Sequence, residues 1–197
     1  MATSNTAIAN AALQLLGESR SLESLTQDHP NARRMTSAFE RTRRSLLRTY
    51  DWGFATRRAS IAADGDQTEW GGLNRYSLPN DFLRLIRDDE SGFAVDWQIE
   101  GGDEGEGTFI VTTSGSPLEI KYIADVLDPN SFDVSFREAF ENRLAFVTCK
   151  QVTGSNDFQD RLREDFKVIV AQARQIGAIA DRPAREFPED SWLSVRR

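Results

Sequence analysis

Apolar residues recur at helical spacing in four stretches of the chain, two near each end. The first helix should begin after Thr3 or Ser4, which are good N-cap residues, and should end at Gly17. Its apolar stripe is expected to comprise Ile8, Ala12, Leu15 and Leu16. This pattern is typical of a helix that buries one face against a protein core.

The second helix is predicted to be amphipathic and strongly basic. Pro30 suits the first helical turn, and the apolar pattern continues to about Tyr50. The apolar face comprises Met35, Phe39, Thr42, Leu46 and Tyr50. The opposite face carries Arg33, Arg34, Arg41, Arg44 and Arg48. We expect this face to bind an acidic protein surface, since arginine grips carboxylates bidentately. DNA is the alternative, although no helix-turn-helix or similar docking motif accompanies the arginines.

Residues 52–125 change character and predict a small antiparallel β subdomain. Apolar and polar residues alternate in short segments, and turn-forming Gly, Asn, Asp and Pro separate them. Strands are predicted at residues 95–99, 108–111 and 118–122. The glycine-rich segment 101–107 lacks the lysine of a phosphate-binding loop and carries three acidic residues, so we interpret it as a mobile hairpin loop.

Two further helices and a polar arm complete the chain. The third helix should run from about Ser131 to Gly154, and Ser155 or Asn156 should cap a fourth that ends at Gly177. The apolar positions are Phe136, Phe140, Leu144 and Val147 in the third helix, and Phe158, Leu162, Phe166, Ile169, Val170 and Ala173 in the fourth. The short break predicts an antiparallel helical hairpin.

The last residues, 180–197, are too polar to form a core of their own, yet they contain three isolated large apolar residues. These are Phe187, Trp192 and Leu193. An extended arm that packs on a neighbouring protein would explain both properties. The predicted fold class is therefore α+β: an antiparallel bundle of about four helices with an inserted small antiparallel β subdomain and an extended C-terminal arm. The expected parts are residues 1–51, 52–125, 126–179 and 180–197.

The charge is divided unevenly along the chain, which has a net charge of −7. Residues 1–60 carry nine Arg against five acidic residues, whereas residues 61–130 carry four basic against fifteen acidic residues. Such asymmetry indicates either charged partner surfaces or merely solvated faces. No apolar run approaches the ~18 residues of a membrane span, and one cysteine excludes an internal disulfide bond. We expect a protein made in the cytoplasm that does not associate with a membrane.

Candidate catalytic residues are few. His29 stands beside Pro30, where helix capping explains it, and Cys149 lies on an apolar helix where a buried small residue is expected. A glycoside hydrolase needs a pair of carboxylates, and the chain has 31 acidic residues that could supply one. Glu69, Glu100 and Glu104 are singled out only because they lie in the loop-rich region. We therefore predict no catalytic residue, no metal site and no cofactor.

An ordered series of short motifs resembles a known protein family. The motifs are Leu15-Leu16-Gly17-Glu18, Ser24-Leu25, Asn31-Ala32, Tyr50-Asp51-Trp52-Gly53-Phe54 and Tyr76-Ser77-Leu78-Pro79-Asn80-Asp81-Phe82-Leu83-Arg84-Leu85. With the late helical hairpin, they resemble the tail tubular protein A family of podovirus-type bacteriophages over roughly residues 5–180. The Trp-Gly-Phe segment followed by Leu-Pro-x-Asp-Phe is the most distinctive part.

The resemblance implies a structural virion protein, the adaptor (connector) at the head–tail junction. It implies a ring of about twelve copies, closed by heterologous side-to-side contacts between subunits. This ring would bind the portal protein and the tail nozzle or tail-tube protein. Double-stranded DNA would pass through the channel during genome ejection without sequence-specific binding. The five arginines of the second helix, with Phe187, Trp192 and Leu193, would contact the portal or a neighbouring subunit. A virion-associated, muramidase-like peptidoglycan hydrolase is the alternative function.

Overall fold

The fold mixes helices with two small antiparallel sheets, which confirms the predicted α+β class. The computed structural model describes residues 3–65, 73–86, 97–102 and 107–180. The helices in these ranges are α1 (Asn5–Leu15), α2 (Pro30–Leu47), α3 (Val134–Thr153) and α4 (Asn156–Ala180). The strands are β1 (Thr56–Ile61), β2 (Asn74–Ser77), β3 (Phe82–Leu85), β4 (Trp97–Gly101), β5 (Thr108–Thr112) and β6 (Leu118–Ala124). In this part of the chain, no helix has the length and apolar character needed to cross a membrane.

Helix α3 is the centre of the helical part, because it contacts α1, α2 and α4. Its aromatic side chains form a cluster with two residues that follow α2. Phe136 is fully buried, and its ring centroid lies 5.0 Å from those of both Trp52 and Phe54. Phe132 and Phe140 extend the same cluster. These edge-on and tilted ring pairs add to the free energy gained by burying apolar area.

Helices α3 and α4 run antiparallel. Gly154, at φ 71°, ends α3, and the Ser155 hydroxyl accepts a hydrogen bond of 3.2 Å from the Phe158 amide at the start of α4, as predicted. Residues that lie further before Gly154 on α3 contact residues that lie further after it on α4. Gln159 donates to the Phe146 carbonyl, and the Arg143 guanidinium lies 5.2 Å from the centre of the Phe166 ring.

The six strands form two three-stranded sheets in which all pairs are antiparallel. Sheet 1 has the order β1-β6-β3, and sheet 2 has the order β2-β5-β4. The strands predicted at residues 108–111 and 118–122 correspond to β5 and β6, whereas the strand predicted at 95–99 overlaps β4 from Trp97 onward. Strands β1, β2 and β3 were not predicted individually. Each is short or half-exposed, so its alternation is weak.

Strand β6 connects two buried clusters because its side chains alternate between the faces of sheet 1. Ile123 is fully buried among the helices. Leu118, Ile120 and Tyr122 belong to a second cluster that also contains Tyr76 of sheet 2. Sheet 1 therefore shares one core with the helices and another with sheet 2.

Several predicted helix ends were wrong. Helix α2 ends at Leu47 instead of about Tyr50, and α4 continues past Gly177 to Ala180. Helix α3 begins at Val134 instead of near Ser131, because the Asp133 carboxylate caps it by accepting from the Phe136 amide at 2.6 Å. A 3-10 turn, Pro129–Ser131, precedes this cap.

The apolar stripe predicted for α1 was wrong at Leu15. Its side chain is 44% exposed, while Ala9 and Leu13, which were not assigned to the stripe, are buried. The small residues Ala9 and Ala12 permit a close approach to the core. The buried face of α1 therefore includes Ala9 and Leu13 and leaves Leu15 exposed.

Candidate functional site

Three of the five predicted arginines line one shallow, open groove along α2. Arg41, Arg44 and Arg48 face this groove, which has a volume of about 700 Å³. Its other lining residues are Thr36, Ser37, Glu40, Ser45 and, from β3, Leu83. We call this surface the arginine groove.

The structure does not bring the other two arginines into the groove. Arg33 forms an exposed ion pair with Asp28, which precedes α2. The Arg34 guanidinium donates to the Asn31 side-chain oxygen at 2.8 Å. Both therefore make local contacts at the start of α2, so the five arginines do not form a single continuous surface.

A buried arginine that was not among the predicted residues lies next to the groove. The Arg43 side chain is 7% exposed, and its Nη2 lies 2.9 Å from Oδ1 of Asp125, which follows β6. The half-exposed Arg44 approaches the other oxygen of the same carboxylate, with Nε 3.5 Å from Oδ2. Asp125 thus ties α2 to sheet 1 and partly neutralises Arg44. No periodicity in the sequence could have paired residues so far apart.

Arg41 and Arg48 are exposed, and within the described residues no carboxylate approaches either guanidinium closely enough to form an ion pair. Glu40, the acidic residue that lines the groove, lies one helical turn before Arg44. The arginine groove therefore presents two cations without a described carboxylate partner, and the apolar side chain of Leu83 also lines it. Such a surface suits a ligand that combines negative charge with apolar groups.

The two longest motif segments of the family resemblance are residues 50–54 and 76–85, and the first of these two closes the end of α2. The Trp52 indole nitrogen donates to the Leu46 carbonyl at 3.1 Å, so it satisfies one of the last helical carbonyl groups while its ring enters the aromatic cluster. Tyr50 packs edge-on against Trp52. Asp51 points toward β3 and forms an ion pair with Arg84.

The second of these two motif segments, residues 76–85, contacts the end of α2 from the side of the sheets. Arg84 also donates from Nε to the Arg48 carbonyl at 2.9 Å. The Tyr122 hydroxyl donates to Asp81 at 3.0 Å, and the pKa of Tyr122 is raised, first by burial and then by this hydrogen bond to a carboxylate. Tyr76 is fully buried and donates to the Ser114 carbonyl at 2.7 Å. Both motif segments thus meet where helices and sheets join.

The end of α4 lies beside the end of α2. The Tyr50 hydroxyl donates to the Arg174 carbonyl at 3.5 Å, and the Arg174 guanidinium lies 5.9 Å from the centre of the Tyr50 ring. A Cβ atom at Gly177 would lie 2.5 Å from the Tyr50 hydroxyl oxygen. Gly177 therefore serves as a point of close approach and not as the helix stop that was predicted.

The remaining sequence candidates occupy separate places. His29 caps α2 by accepting from the Asn31 amide at 3.2 Å, and Cys149 is fully buried, as expected for both. Glu100 is exposed on β4, opposite Phe109. Among the described residues, no group of three or more His, Cys, Asp or Glu could hold a metal ion. Glu69, Glu104, Phe187, Trp192 and Leu193 lie outside the described residues.

No protein-family model matches the chain, and no curated protein matches it significantly. The resemblance to the phage adaptor family therefore rests on the motif residues themselves.

Glu141 on α3 should make the stability of the fold depend on pH. Burial raises its pKa above the ordinary value of 4.5, and Glu138 adds to this while Arg137 opposes it. A raised pKa contributes stability that is fully present below about pH 4.5 and is lost as the pH rises through the folded-state value. We expect Glu141→Gln to raise the melting temperature at pH 7 and to leave it unchanged at pH 4, measured by thermal denaturation across this range. Asp165→Asn, an exposed neutralisation on α4, should show no such trend; equal curves for both variants would contradict the assignment.

Proposed function

We propose that this chain is a ring-forming adaptor that joins the portal of a tailed bacteriophage to its tail and lines the DNA channel. The observation that carries the proposal is the connection between the two motif segments of the family resemblance. Asp51 of the first segment pairs with Arg84 of the second, and Arg84 also binds the end of α2. A structural joint of this kind is a feature that a shared family signature would maintain, and it supports the proposal in that sense.

The arginine groove supplies a surface for a protein partner. Arg41 and Arg48 project from α2 without a described carboxylate partner, and the apolar Leu83 lines the same groove. In our proposal this groove binds an acidic portion of the portal or of the neighbouring subunit. Phe187, Trp192 and Leu193 of the C-terminal arm provide the second contact.

The division of charge fits a subunit that surrounds DNA. We propose that α1–α4 act as an antiparallel bundle facing the portal, with the sheets toward the tail and the arm reaching a neighbour. The acidic middle part of the chain would let DNA slide past without adhering, because like charge prevents the counterion release that drives DNA binding. The chain would then occupy the head–tail junction of the virion.

Binding to the portal tests the function directly. The full chain, mixed with portal rings of the phage that encodes it, should add one continuous ring of density in electron micrographs. Replacing Arg41 and Arg48 by Gln should weaken this binding by about tenfold or more, since desolvated charge-assisted contacts would be lost. The double variant Arg20→Gln, Arg58→Gln removes the same charge at exposed positions outside the groove and should bind like the wild type.

Two results would contradict this proposal. One is the absence of any ring on the portal at concentrations where portal and chain are both intact. The other is unchanged portal binding by the Arg41 and Arg48 variant together with lost affinity for double-stranded DNA, which would make DNA the ligand of the groove.

Loss of carboxylates should leave infectivity intact. We expect Glu69→Gln, Glu100→Gln and Glu104→Gln, separately and combined, to give particles with infectivity close to that of the parent, because the adaptor role needs no acid or base. Purified protein should release no muropeptides from peptidoglycan. A large loss of infectivity in normally assembled particles, together with lost muropeptide release, would instead establish a peptidoglycan hydrolase.

A further inference from the structure

The arginine groove is elongated and is lined mainly by basic and hydroxyl side chains. It follows α2 from Thr36 to Arg48, which corresponds to about 18 Å along the helix axis. Cations at Arg41 and Arg48 accompany the hydroxyl groups of Ser37 and Ser45 and the apolar Leu83. An extended peptide with several carboxylates and a few apolar side chains would match this lining along its whole length.

The chain itself contains a segment of this composition beyond the last described residue. Residues 186–193 read Glu-Phe-Pro-Glu-Asp-Ser-Trp-Leu, with three acidic residues and no lysine or arginine. Basic residues lie on both sides, at Arg182 and Arg185 and at Arg196 and Arg197. The acidic and apolar character is therefore confined to one stretch of eight residues.

The position of α4 brings this segment within reach of the groove. Gly177 lies against Tyr50, which follows the groove residue Arg48 by two positions. Helix α4 ends at Ala180, about 4.5 Å further along its axis. Residues 181–185 span up to about 17 Å when extended, and residues 186–193 about 27 Å, which exceeds the length of the groove. The tether is thus long enough to place the segment along α2.

We propose that residues 186–193 occupy the arginine groove of their own chain in the free subunit. The three carboxylates neutralise Arg41 and Arg48 and approach Arg44, while an apolar side chain of the segment covers Leu83. A second copy could supply the same segment, but the five-residue tether gives the chain's own segment an effective concentration in the millimolar range. At ordinary protein concentrations, far below the millimolar range, the groove is therefore occupied by the segment of its own chain and not by that of a second copy.

This arrangement goes beyond the adaptor function and does not require it. If the chain is an adaptor, the groove and the arm are the two surfaces it offers to the portal and to neighbouring subunits. Before assembly the arm would cover the groove, and neither surface would be available to another protein. Rings would then form only where a portal surface binds the groove more tightly than the arm does. Premature association of free subunits would be suppressed.

Disulfide trapping tests the proposal in the full chain. The double variant Ser45→Cys, Ser191→Cys places one thiol in the groove and one in the segment, and Cys149 is fully buried and stays out of the reaction. With oxidised glutathione as the oxidant, we expect a disulfide within single chains, seen as a monomer on non-reducing gels and as a linked peptide pair by mass spectrometry. Its rate should not depend on protein concentration. The control Ser60→Cys, Ser191→Cys, with its thiol on β1, should react at least tenfold more slowly.

Charge reversal identifies the contacts. Adding Arg41→Glu and Arg48→Glu should slow the trapping at least tenfold, and adding Glu186→Lys, Glu189→Lys and Asp190→Lys as well should restore it. Both arginines are exposed, so the fold should survive, which circular dichroism would verify. A disulfide that joins two chains would replace our proposal with exchange between copies. Equal rates for the Ser60 control, or no response to charge reversal, would overturn the proposal altogether.

Discussion

Replacing Phe136 by Ala is expected to lower the free energy of unfolding by about 3–5 kcal/mol, the range for a fully buried phenylalanine. Its ring is completely inaccessible and lies 4.9 Å from the centre of Phe132 and 5.0 Å from that of Trp52. These partners come from the segment before α3 and from the segment after α2, so they cannot all close in on the cavity together. Chemical denaturation followed by circular dichroism would measure the loss.

Val134→Ala is the matched control for this prediction. Val134 lies two residues earlier on the same helix but is 70% exposed, so its truncation should change the free energy of unfolding by less than about 0.5 kcal/mol. If Phe136→Ala gave no soluble protein, Phe136→Leu should still fold and lose a smaller amount of stability. A loss below about 1 kcal/mol for Phe136→Ala would mean that the aromatic cluster is not the centre of the core.

The helices could be predicted well from the sequence because their signals are local. Ser4, His29 and Ser155 each accept a hydrogen bond from an amide at the start of a helix, and such capping residues are recognisable beside an apolar periodic segment. Gly154 is recognisable at the end of α3 because glycine readily adopts the left-handed conformation that ends many helices. These signals involve residues only a few positions apart, so periodicity and residue type suffice to find them.

Helix ends that depend on distant contacts could not be predicted. The apolar pattern of α2 continues to Tyr50, but Trp52 and Thr49 take the Leu46 carbonyl, and Arg84 takes that of Arg48. Arg84 lies on β3, far from α2 in the sequence, so its hydrogen bond to the end of α2 exists only once sheet 1 has formed. At Gly177 the helix continues to Ala180, and the missing Cβ leaves room for the Tyr50 hydroxyl, a contact that the sequence could not reveal.

The candidate site was only partly visible in the sequence for the same reason. A helical projection separates exposed arginines from buried apolar residues, and it placed Arg41, Arg44 and Arg48 correctly on the exposed side of α2. The same projection cannot tell which arginines find partners within the chain. Arg43 lies at the border of the buried face, where only a carboxylate supplied by sheet 1 makes burial of a guanidinium tolerable.

That carboxylate is the second place where a single substitution should have a large effect. We expect Asp125→Ala to lower the free energy of unfolding by about 3–5 kcal/mol, because it leaves the buried Arg43 guanidinium without its counter-charge. The Arg43 side chain is 7% exposed and that of Asp125 is 18% exposed, so water cannot replace the lost partner fully. Urea denaturation at neutral pH would measure the change.

Two further variants separate the buried pair from its exposed neighbour. Arg44→Ala removes the half-exposed arginine that shares the Asp125 carboxylate, and exposed ion pairs contribute only about 0–1 kcal/mol, so its effect should be small. Combining Arg43→Met with Asp125→Ala should recover much of the stability lost in Asp125→Ala, since the unpaired buried charge is then absent. If the double variant were as unstable as Asp125→Ala alone, the loss would arise from the position of Asp125 after β6 and not from an isolated charge on α2.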